Sequence, residues 1–290
     1  MSTLSACIQF ICGCFIALLF SSCTSNSFFA NSIRPTNNVQ GTIELSDGLS
    51  PEGVLVWFKV FNLSTQCDEN GKFSLGIPNS ANQSGGGLDG IYTVYFYMAN
   101  YRIDSIRVVL ASGQIKLGNL DNDQNGEIDR TILLANILQV EARVGKPVLT
   151  IPQDRKQTIN FTLTAPQENV KVSITTSRPL RRGVPPSLHG YIRDRSKNIC
   201  IPVFNRDQPS TTSFLEVGVN KVEISPMEIL LETGILQVGD FQVLPALTIE
   251  QDGIPQGLLQ ALKDAVGPDA CDAAFQIPIA VRHNTFSVRQ

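Results

Sequence analysis

From residue 38 onward the chain is cut into short runs rich in Val, Ile, Phe, Tyr and Thr by Gly, Pro, Asn and Asp, with little apolar spacing of helical period. Runs such as GVLVWFKVFNL (53–63) and GIYTVYFYMANY (90–101) alternate apolar and polar residues or stay apolar over the length of one strand, as half-buried and fully buried strands require. This pattern argues against a helical bundle and predicts an all-β protein of two β-sandwich domains. A chain of 290 residues with 42% hydrophobic content can fill two such cores. Its net charge of −3 offers no basic footprint for a phosphate backbone, so nucleic acid is not an expected partner.

The first thirty-odd residues are different. No charged side chain occurs from Met1 to Ile33, and Leu4 to Phe20 is a nearly continuous apolar run, which suits the apolar region of a secretory signal better than a spanning helix. The run ends in LLFSSC, where small Ser21 and Ser22 precede Cys23. This resembles the lipobox of bacterial lipoproteins, departing from it in having no Lys or Arg before the apolar run and in placing Phe20 where Leu is usual. The resemblance implies a signal peptide over 1–22, lipid attachment at Cys23, and a location in the cell envelope, membrane-anchored and facing the periplasm or the outside. The Ser- and Asn-rich segment 23–37 then reads as a tether.

Cysteine usage is compatible with export. Of seven cysteines, Cys7, Cys12 and Cys14 would leave with the signal and Cys23 would carry lipid. Cys200 and Cys271 share the C-terminal half and could form a disulfide in an oxidising compartment, whereas Cys67 in its strand-and-turn segment reads as a buried apolar residue. No CxxC pair or Cys/His cluster suggests structural zinc.

In the first domain, Gly41-Thr42-Ile43 opens one strand and Gly53-Val54-Leu55-Val56 the next; Asp68, Gly71 and Phe73 mark a turn, and Gly90, Tyr92 and Val94 a later strand. Asn70-Gly71 supplies the positive φ of a tight hairpin. The ordered set over 38–118 resembles the carboxypeptidase regulatory-like domain, which implies a small transthyretin-like β-sandwich and a non-catalytic accessory role. Two departures stand out, the glycine-rich insertion NSANQSGGGLD before Gly90 and Asn100-Tyr101 in place of the usual Gly-Tyr. Because side chains alternate between faces, some of the many aromatics here must point away from the domain's own core. Tyr95 and Tyr97 are then either a ligand face, for glycan or for another envelope protein, or the surface on which the second domain packs.

That second domain, 146–290, reads as a further sandwich, immunoglobulin-like and with one short helix. RKQTINFTLTA, ENVKVSITTS, GYIRD, NICIPVF and VGDFQVLPALTIEQDG are strand-like, the proline-rich RPLRRGVPPS is loop, and IPQGLLQALKDAVG has helical spacing with Leu258, Leu259, Leu262 and Val266 on one face.

Between the domains, 119–145 reads as a linker containing LDNDQNGEID (120–129). Its spacing matches the first nine positions of a calcium loop, with Asp121, Asp123 and Asn125 offering side-chain oxygens, Glu127 its carbonyl and Asp129 a direct or water-mediated ligand around Gly126. Position twelve, a bidentate Glu in an EF-hand, is Ile132. Any calcium affinity should therefore be weak, roughly 10⁻⁴ to 10⁻³ M, as in extracellular modules. The alternative is a polar turn closed by Asx hydrogen bonds.

Catalytic motifs are missing. The two histidines, His189 and His283, stand far apart without a motif, and no G-x-S-x-G, H-E-x-x-H or phosphate loop occurs. The expectation is a non-catalytic binding or structural module of the envelope, with membrane lipid as one partner. The alternatives are a carbohydrate-binding accessory to a surface enzyme and an uncharacterised hydrolase with no assigned catalytic residue, for which His189, beside Tyr191 and Arg193, is the position to probe.

Overall fold

The computed structural model describes residues 37–83, 87–123, 125–176, 189–195, 199–202, 211–230, 236–266 and 278–290. The expected signal, Cys23, the tether, the proline-rich loop and Cys271 all lie outside them. Residues 35–290 form one compact unit, and its described residues are all-β apart from one short α-helix and three 3-10 turns.

The N-terminal half contributes β1 (Asn38–Leu45), β2 (Leu55–Phe58), β3 (Leu63–Gln66), β4 (Lys72–Gly76), β5 (Gly90–Tyr97), β6 (Asp104–Ala111), β7 (Gln114–Lys116) and β8 (Ile132–Leu134). They form a three-stranded sheet, β4-β1-β8, and a five-stranded one, β3-β2-β5-β6-β7. One core lies between them. Val39, Ile43, Phe73 and Leu134 from the first sheet meet Val56, Phe58, Val94, Phe96, Ile106 and Val108 from the second, all at most 5% exposed.

The Asp68–Lys72 turn is a corner between sheets and not the tight hairpin expected, because β3 and β4 do not pair. Asp68 Oδ1 accepts the N–H groups of Asn70 and Lys72 at 2.9 and 2.8 Å, and the Gly71 carbonyl accepts Ile43 N–H at 2.9 Å. The chain is thereby redirected onto β1. Gly71 sits at φ +76°, and a Cβ there would stand 2.0 Å from the Ile43 oxygen, so no other residue fits. Asn70, by contrast, keeps a negative φ.

The expected linker is largely structured. β8 pairs in parallel with β1, Ile43 opposite Ile132, so the first sandwich closes only after residue 134. β9 (Gln139–Val144) already belongs to the second half.

That half continues with β10 (Val148–Thr150), β11 (Lys156–Thr164), β12 (Val170–Thr176), β13 (Gly190–Asp194), β14 (Ile199–Pro202), β15 (Thr211–Val217), β16 (Val222–Leu230), β17 (Gly239–Pro245), β18 (Leu247–Ile249), α1 (Leu258–Val266) and β19 (Thr285–Arg289). Its strands sort into β10-β19-β17-β13-β14, β16-β11-β9 and β15-β12-β18. In α1, Leu258 and Leu262 are buried as the spacing predicts, but Leu259 is 38% exposed. The buried stripe is narrower than expected.

The second core does not stop at the second half. Leu55, Trp57, Tyr97 and Ala99, from the outer face of the five-stranded sheet and its continuation, join the cluster of Phe161, Val172, Ile192, Val243 and Leu258. One end of that sheet is thus buried on both faces.

The C-terminal segment 278–284 threads the junction. Ile279 belongs to the second core and its neighbour Ala280 to the first. Asn100 holds it: its Nδ2 donates to Ala280 O and Leu138 O, each at 3.0 Å, and its Oδ1 accepts Ala280 N–H at 2.9 Å. Beside it, Asp47 accepts Tyr101 O–H at 2.7 Å and Arg282 Nη2 at 3.1 Å. Burial, followed by the Asp47 hydrogen bond and charge, pushes the Tyr101 phenol far above its ordinary range, so it stays a donor.

Asn100→Gly, which restores the Gly-Tyr pair of the resembled family, removes the partner of the Ala280 N–H and carbonyl, while Leu138 O keeps Asn136 Nδ2 at 3.3 Å. It should lower unfolding stability by on the order of 3 kcal/mol. Urea unfolding followed separately by Trp57 fluorescence and by far-UV circular dichroism checks this, with the two probes expected to diverge in the variant.

Candidate functional site

Three places were candidates for function: the acidic loop, the aromatic face and the surroundings of His189. The acidic loop opens with a 3-10 turn, Gly118–Leu120, and its described residues close on themselves. Asp121, 7% exposed, accepts Asn125 N–H at 3.0 Å on one carboxylate oxygen and Gly126 N–H at 2.9 Å on the other. Asn125 Oδ1 accepts Glu127 N–H at 2.8 Å, and Asp129 accepts Asn122 N–H. Gly126 takes φ +90°, the conformation the sharp bend needs.

The loop is also fastened to the first sandwich. Ile128 donates its N–H to Gln40 O at 2.9 Å and buries its side chain in the first core. Gly41 makes room for it, since a Cβ there would lie 3.2 Å from both Ile128 Cβ and Phe73 Cε1. Among the described residues, no group of three or more His, Cys, Asp or Glu is arranged to hold a metal ion. Asp123 and Glu127 point to solvent. The described hydrogen bonds are those of an Asx-closed turn, with the exposed carboxylates of Asp123, Glu127 and Asp129 around it.

The aromatic face is divided by the fold. Tyr97 is fully buried in the second core and does not form a ligand face. The reason is the double burial of its sheet, where the second half covers the end at which β5 finishes. Burial alone pushes its phenol well above the ordinary range. Tyr95, two residues earlier, is half-buried, tilted against Trp57 with ring centroids 5.7 Å apart. Trp57 in turn donates Nε1–H to Asn62 Oδ1 at 3.2 Å, which fixes its ring.

His189 is 4% exposed at the start of β13, and burial holds its imidazole below the usual pKa, so it stays neutral at physiological pH. His283 lies at φ +54° in the turn before β19, far along the chain and without a shared cluster. Cys200 is disulfide-bonded, in keeping with the expected bridge, whose other member Cys271 is outside the described residues. Cys67 is a free, buried thiol whose pKa burial, with a smaller contribution from Asp68, raises from 9.0 to about 12.

The sequence did not indicate a groove of about 380 Å³ between Arg102 at the end of the first sandwich and the β12 and β18 ends of the second. Arg102 and Glu168 pair across it at 2.6 Å, and Lys171, Glu250 and Asp252 complete the charged rim. Its lining comes from segments up to 150 positions apart, which is why no local pattern marks it. The lining has no aromatic ring on which a sugar could stack.

No family model matches the chain, and no curated protein does. Seven solved chains match in structure. One is "The Bacillus anthracis TIE protein", 10% identical, with a TM-score of 0.22 over 75% of this chain and 48% of that one. The chain thus spans about half the length of that protein, and a likeness at this level carries no functional argument.

Two outcomes follow from this geometry. Asp121→Ala should cost about 1–2 kcal/mol of stability, the cost of two unpartnered N–H groups at a partly solvated turn, as read by thermal melting. For Cys67 the neutral form is favoured in the native state, so its contribution is complete below pH 9 and lost as pH rises towards about 12. Iodoacetamide at pH 8 should label it only after denaturation, as read by mass spectrometry.

Proposed function

We propose that this is an exported, lipid-anchored protein of the cell envelope whose β-sandwich body works as a non-catalytic binding or structural module. The first sandwich is read as a carboxypeptidase regulatory-like domain and Cys23 as the acylated residue of the mature chain. The observation that carries the reading is the use the fold makes of its buried polar side chains. Asn100, Asn136, Gln157 and Gln83 all donate to main-chain carbonyls, and Asp47 accepts from Tyr101 and Arg282. These groups hold strands and segments in register. A body built this way presents surfaces at a fixed orientation, which suits scaffolding or docking at a membrane.

The disulfide at Cys200 is of the kind that persists in an oxidising compartment and supports export. The carbohydrate-binding alternative loses Tyr97 and rests on Tyr95 alone. The hydrolase alternative has no assigned catalytic residue, and His189, the position to probe for it, is 4% exposed.

Intact-mass measurement of the protein extracted from membranes is the decisive experiment. A chain beginning at Cys23 and heavier by its acyl groups is expected, and Cys23→Ser should move the protein from the membrane to the soluble fraction. An unmodified chain still carrying residues 1–22 would refute the reading.

A further inference from the structure

The outer face of the five-stranded sheet is covered at one end only. Where β5 finishes, Tyr97 and Ala99 join the second core; where it begins, Ile91 is 68% exposed. Strand register fixes its neighbours. Ile91 lies opposite Val109, 43% exposed, and Val109 lies opposite Lys116; the next row pairs Thr93 with Arg107, and the next Tyr95 with Ser105. The open end therefore presents two aliphatic side chains flanked by two cations. Neither Arg107 nor Lys116 forms an ion pair among the described residues. Asp89 and Asp104, at the beginnings of β5 and β6, accept Ser112 N–H and Ser105 N–H.

The chain reaches the sandwich at this same end. Asn37 donates to Asn79 Oδ1 at 2.8 Å, and the segment after it is stitched by Gln83, whose amide donates to Pro78 O and Gly113 O at 2.8 and 2.7 Å and accepts Leu88 N–H at 2.9 Å. Residue 37, the turn after β6 and the start of β5 are thus neighbours, while the second sandwich docks at the opposite end. From Cys23 to Asn37 the chain can extend at most about 50 Å, at ~3.5 Å per residue. Facing sheets lie only about 10 Å apart, so a lipid on Cys23 lets this face touch the bilayer.

We infer that the open face of β5, β6 and β7 is a membrane-docking surface, with Ile91 and Val109 meeting the interface and Arg107 and Lys116 the headgroups of anionic phospholipid. The inference rests on the lipid-anchor reading proposed above. Two cations attract an anionic surface too weakly to hold a free protein and strongly enough to orient a tethered one. With the anchor supplying the local concentration, the face sets which way the body points. The second sandwich and the charged groove are then carried away from the bilayer.

The test separates docking from acylation. A chain beginning at residue 24 with an N-terminal polyhistidine tag in place of the lipid is held on vesicles by a nickel-chelating lipid, with an environment-sensitive fluorophore on Ser105→Cys. Cys67 does not compete for the dye in the native protein, and Cys200 is bonded. Phosphatidylglycerol vesicles should blue-shift the emission and phosphatidylcholine vesicles should not. Combined R107E and K116E should abolish the shift, and I91D should reduce it by half or more, with melting temperatures unchanged. No shift on phosphatidylglycerol, an equal shift on both lipids, or a shift that survives charge reversal would overturn the docking surface. Failure of the anchor itself would show separately, as an unacylated Cys23 in the intact-mass measurement.

Discussion

Where the two sandwiches meet, three stretches of backbone come together with no regular ladder to satisfy them, and the Asn100 side chain satisfies them instead. Its amide donates to Leu138 and Ala280 and accepts from Ala280, while its own carbonyl accepts the N–H groups of Ile137 and Leu138. A buried main-chain group without a partner costs about 1–3 kcal/mol. The junction would cost several such terms if Asn100 were apolar or absent. Asn100 acts together with the backbone bonds from Ala99 N–H to Pro278 O and from Arg282 N–H to Val140 O, and between them the adjacent Ile279 and Ala280 enter opposite cores.

Pinning has a consequence for the five-stranded sheet. Once the second half is held against the β5 terminus, Leu55, Trp57 and Tyr97 lose contact with water, and the aromatic area that looked available for ligands becomes core. The cover is shorter than the strands it covers. An eight-residue strand spans roughly 27 Å at ~3.4 Å per residue, and only its last residues are reached. The open remainder carries Ile91, Val109, Arg107 and Lys116. Burial at one end and exposure at the other thus follow from one placement.

The acidic loop shows the same economy of roles. Its carboxylates close a turn that fastens Ile128 into the first core and delivers β8 to β1. The same spacing suits a polar turn and a cation loop. Asp and Asn at alternate positions around a glycine serve both, because both need oxygens that converge on the inside of a bend.

The sequence by itself determined the all-β class, the strands marked by GVLVWF and GIYTVYFY, the helix beginning at Leu258, and the burial of Cys67. These depend on side-chain alternation and local backbone preference, which act over a few residues. Only the tertiary structure decided which face of each strand is wet, that Asp68–Lys72 turns between sheets instead of forming a hairpin, that 132–134 completes the first sandwich, and that Tyr97 is core. Each of these depends on a partner 28 to 180 positions away, such as Ile43 for Gly71 or Ala280 for Asn100. The departure at Asn100-Tyr101 was visible in the sequence as an oddity. Its meaning required the C-terminal segment to be in place, because a single amide can replace a sheet ladder only where another backbone comes within about 3 Å of it.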